Sequence, residues 1–442
     1  MAKALASREI SSVELTEMYL RRLKTIGHEH NAVAELTEDL ALRQARHADA
    51  EPAKSILHGI PFGVKDLLAT KGIPTRWGSP GHADQVFDFN ATIVQKLEDA
   101  GAVLLAKLEM IELAGGGNYN VANASRMGPC LSAWDKKLWA GGSSSGSGAT
   151  TALGCVGFSL GSETSGSIVC PSAFNGCTGF RPTYGRVSRH GAMALCWTLD
   201  KLGPICRSAE DCGIVLQAIS GPDPMDGSTI QQKLNLRSRG PKPKVGLVKE
   251  TFKDSKAEVC EKAYQNVLTT LRKLGYEAVE VAYPDLPYNA AIDLIVNAEG
   301  ASAHENFIRG ERFQQLQDIN QVAGFAAALE VKAVDYLWAM RLRTEALKAN
   351  AVWDKCDCIF TPAFYHKAIP ADQPFDKTWV DMGGDNGPSN LLGWPAMAFP
   401  IGFEEGAPIG GQIIAPAMRE DICLRVVGDF QKNSDFHLKH PG

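Results

Sequence analysis

"ATIVQKLEDAGAVLLAKL", residues 91–108, reads as a helix, a stop at Gly101 and then a strand. "GATTALGCVGFSLGSE", residues 148–163, repeats the scheme, with a helix of small residues and a strand near 155–160. Alternating helices and strands predict an α/β fold: a large mixed, mostly parallel β-sheet covered by helices on both faces. Toward the N-terminus, "SSVELTEMYLRRLKTI" (11–26) puts Leu15, Met18, Tyr19, Leu23 and Ile26 at helical spacing, and Ser11 with Glu14 makes a capping-box pattern. A polar helix follows at about 37–50. Residues 221–244 read as a connecting loop, "VGLVKE" (245–250) as a strand, then helix near 255–274 and strand near 276–282. A helical stretch at about 328–352 precedes the strand "CIFTPA" (358–363). "PAMAFPIGF" and "GQIIAP" are late strands, and a helix closes the chain at 419–433. Both ends of the chain complete the sheet, which predicts one domain over 1–442.

The 442 residues are 45% hydrophobic and 21% charged, with a net charge of -5 and no dense Lys/Arg run. That balance argues against a nucleic-acid or membrane-surface partner. The 11 cysteines are odd in number and scattered, with no CxxC pair or zinc spacing. Cys356 and Cys358 would share one face of a strand and read as core. Free cysteines, an N-terminus without an apolar leader and the lack of an 18-residue apolar span predict a cytoplasmic protein. No metal or cofactor is expected. His28-Glu29-His30 does not match HExxH and reads as solvated surface.

The serine-rich stretch "WAGGSSSGSG" (139–148) invites three chemical readings. A phosphate loop requires a lysine where Ser147 stands. A nucleophile elbow, G-x-S-x-G around Ser144, requires a buried strand just before it, and the preceding segment is polar and broken by Pro129. The third reading joins distant residues. In "FSLGSETSGSIVCPSAFNG" (158–176) a strand ends, a Gly/Ser turn follows and a helix begins. Backbone amides can converge there on an oxyanion, although an ordinary strand-to-helix loop reads the same way. Lys65 lies in the apolar run "IPFGVKD" (60–66). It is either an interior lysine with a lowered pKa, able to act as a general base, or a surface lysine paired with Asp66. Lys65, Ser143 and Ser167 then make a proton path without histidine, in the manner of Ser-Lys triad variants.

The sequence resembles the amidase signature family, which includes bacterial amidases, aryl acylamidases, carbamate-cleaving enzymes and the A subunit of the aminoacyl-tRNA amidotransferase. The resemblance rests on "HGIPFGVKDLLATKGIPT" (58–75), "GAVLLAKLEMIELAGGGN" (101–118), "WAGGSSSGSG", "GSETSGSIVCPSAFNGCTGFRPTYGRVSRHG" (161–191), "LDKLGPICRSAEDC" (199–212) and "NLLGWPAMAFPIGF" (390–403). It implies a Ser–cis-Ser–Lys triad with Ser167 as nucleophile, Ser143 as the bridging serine in a cis peptide and Lys65 as base. It also implies an oxyanion hole from the amides of Thr164, Ser165, Gly166 and Ser167. Ser144, Met110 and Gly142 are expected beside the site or substrate. The signature core covers about 55–215.

Several residues depart from the common "GTDTGGSIR" pattern: Glu163 for Asp, Ser165 for Gly and Val169 for a basic residue. Glu109 fills a slot often held by a small or amide residue. Arg181, Arg186 and Asp200 are expected to lock loops, and Phe62, Met110, Trp338 and Trp394 to be core. The substrate pocket should come from the helical region near 285–352 and the loop at 363–387, together about 285–390. The loop is aromatic and proline-rich, which suits an apolar or aromatic group. The expected substrate is a small amide or carbamate, with an aryl amide or a urethane both plausible, and a homodimer is possible. The alternative is the glutamine-hydrolysing A subunit of an amidotransferase. Glutamine would require a cation and an acid in the pocket; Arg341 and Arg343 lie on the long helix and read as solvated.

Overall fold

Strand β2 (Pro61–Lys65) is buried along its whole length and carries Lys65 into an eleven-stranded sheet. The computed structural model describes residues 1–248, 258–378 and 386–442. The other strands are β1 (Val33–Leu36), β3 (Val103–Leu108), β4 (Phe158–Glu163), β5 (Thr178–Arg181), β6 (Lys201–Cys206), β7 (Val245–Val248), β8 (Ala278–Val281), β9 (Cys358–Pro362), β10 (Ala396–Glu404) and β11 (Ala407–Ile414). Their order across the sheet is β1-β3-β2-β4-β6-β5-β10-β11-β9-β7-β8.

The sheet is mixed, as the alternation predicts, but it is not mostly parallel. Pairing is parallel where helical crossovers return the chain, at β2–β3, β2–β4, β7–β8 and β7–β9. The six other neighbouring pairs among the described residues are antiparallel. One cause is local. Glu405 and Gly406, both with positive φ, close a tight link between β10 and β11. Two such residues in succession make the turn that folds a strand back on itself. The predicted "PAMAFPIGF" and "GQIIAP" strands are thus the two arms of a hairpin.

Helices cover both faces. Along β3, Leu104 enters one hydrophobic cluster while Val103 and Leu105 enter another, as successive strand side chains must. The first includes Phe62, Val64, Leu160, Phe180, Leu202 and Phe399. Ser11 caps the helix Ser12–Arg22 through the expected reciprocal pair with Glu14. Helices at Glu38–Ala50, Glu258–Lys273, Ala333–Ala346 and Glu420–Gln431 fall where the periodicity puts them.

Four expectations are corrected. Trp338 is 52% exposed, on the outer side of its helix, whereas Phe62, Met110 and Trp394 are core. Cys356 and Cys358 are both buried but in different clusters, because Cys356 precedes β9 and escapes the strand's alternation. His30 is buried and bonds the Ile26 carbonyl through Nδ1, while His28 and Glu29 are exposed. Arg343 is not simply solvated, since its Nε donates to the Leu391 carbonyl; Arg341 stays on the exposed face. The described cysteines are free and buried, and no described helix is long and apolar enough to cross a membrane.

Gly101 shows why the helix–strand unit needs its stop. Its φ is +82°, and an added Cβ would lie 2.1 Å from His58 Nδ1. Gly101→Ala is expected to cost about 1–3 kcal/mol, seen as a lower urea midpoint at unchanged slope.

Candidate active site

Lys65 ends β2 with no exposed surface. Its Nζ is 2.7 Å from Ser143 Oγ and 2.9 Å from Ser162 Oγ. Burial lowers its pKa to about 7, against the opposing charges of Asp200 and Glu163. A neutral amine is therefore accessible near neutral pH. Asp66 is not its partner. Asp66 lies in the turn after β2, 3.6 Å from Lys107 instead.

The Gly/Ser stretch is a tight turn leading into the helix Ser145–Ala152. Gly141 has φ +79°, and the Gly142–Ser143 peptide is cis. A Cβ on Gly142 would meet the Trp139 ring at 2.7 Å and Tyr119 Oη at 3.1 Å. The turn directs Ser143 to Lys65. Ser144 is used structurally: its hydroxyl donates to the Ser162 carbonyl (3.1 Å) and accepts from the Ser162 amide (3.2 Å), tying the turn to β4.

Residues 164–168 link β4 to the helix Val169–Asn175, and Glu163 holds both ends of that link. Its Oε2 accepts from the amides of Ile168 (2.8 Å) and Val169 (3.0 Å), capping the helix. Its Oε1 takes Arg181 Nη1 at 2.6 Å, and Arg181 also donates to the Trp394 carbonyl at the mouth of β10. Burial alone would raise the Glu163 pKa, but Arg181 and Lys201 outweigh it and hold the value at about 2. Ser165 is tolerated in place of glycine because the positive φ falls on Gly166, at +91°.

Two carbonyls of the turn are pinned inward. Lys201 Nζ donates to Thr164 O at 3.2 Å, and the Cys170 amide donates to Gly166 O at 2.7 Å. In a trans peptide the following N–H points the opposite way. The Ser165 and Ser167 amides consequently face away from those anchors, and they bond no protein acceptor among the described residues. Asp200 fixes the side chain of Thr164 through a 2.5 Å hydrogen bond and accepts from the amides of Leu195 and Cys196. Such a turn can bind the oxygen of a tetrahedral intermediate.

A cavity of about 440 Å³ opens onto this turn. Gly142 and Thr164–Ser167 line it, together with Ile292, Asp293, Val296, Phe375 and Asp376. Both regions expected to build the pocket therefore contribute, although residues 379–385 of the predicted loop lie outside the described residues. A smaller cavity, about 180 Å³, shares Thr164 and reaches Ser162 and Asp200 beside the lysine.

The structure thus gathers Lys65, Ser143, Ser167 and the turn residues 164–166. No hydrogen bond joins the Ser143 and Ser167 side chains among the described residues. Met110 lies apart from the cavity in the main core. Glu109 is also away from it: it accepts from Ser125 Oγ at 2.6 Å, and burial raises its pKa to about 7. Arg181 and Asp200 lock the loops as expected, and so does Arg186, which pairs with Glu420 at 3.2 Å. Sequence reasoning missed Ser162 and Lys201. The only available signal was an alternating pattern on two strands whose antiparallel register, Glu163 opposite Lys201, it did not establish.

Fold and relatives together put the chain among amide-hydrolysing enzymes. Residues 14–424 match the family model described as Amidase, and the chain belongs to the amidase signature family. It is 33% identical to the A subunit of glutamyl-tRNA(Gln) amidotransferase from Azotobacter vinelandii, over 100% of this chain and 98% of that protein. Among solved structures, it resembles a chain from an unexpected vestigial protein complex bearing on the origins of an s-triazine catabolic enzyme. That match has 30% identity and a TM-score of 0.89, over 98% of this chain and 97% of the other. It also resembles native peptide amidase of Stenotrophomonas maltophilia, at 26% identity and a TM-score of 0.84, covering 98% and 95%.

Glu163→Gln leaves Arg181 buried without its charge partner and is expected to cost about 3–5 kcal/mol. The folded-state pKa lies below the unfolded value, so this contribution is complete above about pH 5 and fades as pH falls toward about 2. Acid titrations of wild type and variant, followed by circular dichroism, should converge at low pH.

Proposed function

We propose that the protein is a stand-alone serine hydrolase that cleaves the C–N bond of a small amide or carbamate through an acyl-enzyme on Ser167. The observation that carries this reading is the 2.7 Å contact of buried Lys65 with Ser143, beside the cavity floored by Ser167. Neutral Lys65 takes the proton of Ser143, and Ser143 takes that of Ser167 as it attacks the carbonyl. Catalytic hydrogen bonds commonly tighten only once substrate is bound, which accommodates the unmade Ser143–Ser167 bond. The amides of the 164–167 turn stabilise the oxyanion, Ser143 returns the proton to the leaving amine, and water hydrolyses the ester. The signature core and the helical region act as one catalytic unit, consistent with a cavity that both line. An aryl amide and a urethane are equally open to this chemistry.

The second reading, the glutamine-hydrolysing A subunit of an amidotransferase, is favoured by the full-length similarity to such sequences. Against it, the cavity lining holds no lysine or arginine among the described residues to meet an α-carboxylate.

Sulphonyl-fluoride labelling with peptide mapping, beside a panel of anilides, primary amides, urethanes and glutamine, tests the assignment. A label on Ser167 and turnover without a partner are expected. A label on Ser144 overturns the triad, and turnover of glutamine alone, only with an added partner protein, replaces the first reading by the second. Lys65→Ala should lower kcat/KM by at least ~100-fold with the fold intact. Because protonated Lys65 is inactive as a base, wild-type kcat/KM should fall as pH drops through about 7.

A further inference from the structure

Among the described residues, the lining of the Ser167 cavity carries two carboxylates and no cationic side chain. Asp293, on the helix Tyr288–Ala303, lines the cavity and has no hydrogen-bond or ion-pair partner among the described residues. Asp376 lines the same cavity; among the described residues its carboxylate accepts only a long, 3.3 Å bond from Asn120 Nδ2. No lysine, arginine or histidine among the described residues lines the cavity with them. Burial raises the Asp293 carboxyl above its ordinary range, and nothing opposes it. Both carboxylates are exposed to the cavity, and a carboxylate without a partner there favours a ligand that brings the missing positive charge.

The rest of the wall suits the same ligand. Tyr119 and Phe375 meet edge to face at 5.6 Å beside the two acids. Aromatic faces attract organic cations, while Ile292 and Val296 offer an apolar track for an alkyl chain.

We propose that this site selects amides that carry an organic cation, with Asp293, assisted by Asp376, binding an ammonium or guanidinium while Ser167 faces the scissile carbonyl. The inference rests on the hydrolase reading above and adds the substrate class. Asp293 is a specificity residue: it acts on binding and takes no proton from the reaction. A carboxylate at the same place on the substrate is repelled, which turns the pocket away from acidic amides.

The test uses chain-matched carboxamides ending in methyl, ammonium or carboxylate, and a second set with the same groups on the amine side. For each, kcat and KM are measured, together with protection of Ser167 from sulphonyl-fluoride labelling. Wild type is expected to favour the ammonium member of at least one set by roughly fivefold or more, in KM or in protection, over its methyl analogue. The carboxylate member should be poorest. In Asp293→Asn the ammonium-to-methyl ratio should fall toward one, and Asp293→Glu should restore part of it. Equal handling of ammonium and methyl analogues by wild type, in both sets and both readouts, overturns the proposal. So does a ratio that Asp293→Asn leaves unchanged. Failure of Ser167 to label at all instead strikes the hydrolase reading, while differential binding of the analogues, read by calorimetry, still decides the charge preference.

Discussion

The buried pair of Glu163 and Arg181 is the constraint on which the site depends. One carboxylate does three things at once: it neutralises a guanidinium with no exposed surface, caps the helix Val169–Asn175, and fixes the length of the turn between β4 and that helix. Arg181 extends the same clamp to the start of β10. Burying two charges is costly unless geometry and extra hydrogen bonds compensate. Here the remaining capacity of both partners goes to backbone groups that must be satisfied anyway, so the cost secures a backbone shape rather than a surplus of stability. That shape leaves the Ser165 and Ser167 amides without internal acceptors.

Three lysines lie in the same low-dielectric interior, and their partners give them different parts. Lys107 donates to the Leu68 carbonyl and to Thr75 Oγ1 and faces Asp66; it braces the loop after β2. Lys201 holds Thr164 O beside Glu163 and Arg181. Lys65 alone of the three meets two hydroxyls. Burial lowers all three, to about 8 for Lys107 and about 7 for the other two. The lowered value by itself therefore does not distinguish a base from a brace. The neighbours add what the proposed role of Lys65 requires: a carbonyl can only accept from an ammonium, whereas a hydroxyl can also give a proton to an amine.

Much of this was legible in the sequence, and the limits have physical causes. Helix–strand alternation places β3 and β4 because each is a local pattern. It overstates parallel pairing because strand direction depends on links such as Glu405–Gly406 and on non-local neighbours such as β4 and β6. Ser143 is separated from Ser144 by family resemblance, not by composition; the structure gives the reason, since Ser144 spends its hydroxyl on the backbone of β4. Ser162 and Lys201 could not be read locally, because each matters only through a partner brought by sheet register. Residue type alone misplaces Trp338, which sits on a helix with one side in water. Asp293 and Asp376, more than eighty residues apart in the chain, come to line one cavity only through the fold.

The same cavity also holds a sulfur. Cys170 lines it one helical turn beyond Ser167, and a thiolate is ordinarily the stronger nucleophile. Burial pushes the Cys170 thiol far above its usual range, with the charge of Glu163 adding to the shift. Burial thereby favours the protonated thiol over the thiolate. In the proposed reaction, the choice of oxygen over sulfur then follows from the surroundings rather than from intrinsic reactivity. A protonated thiol is the weaker competitor for any electrophile that enters the cavity.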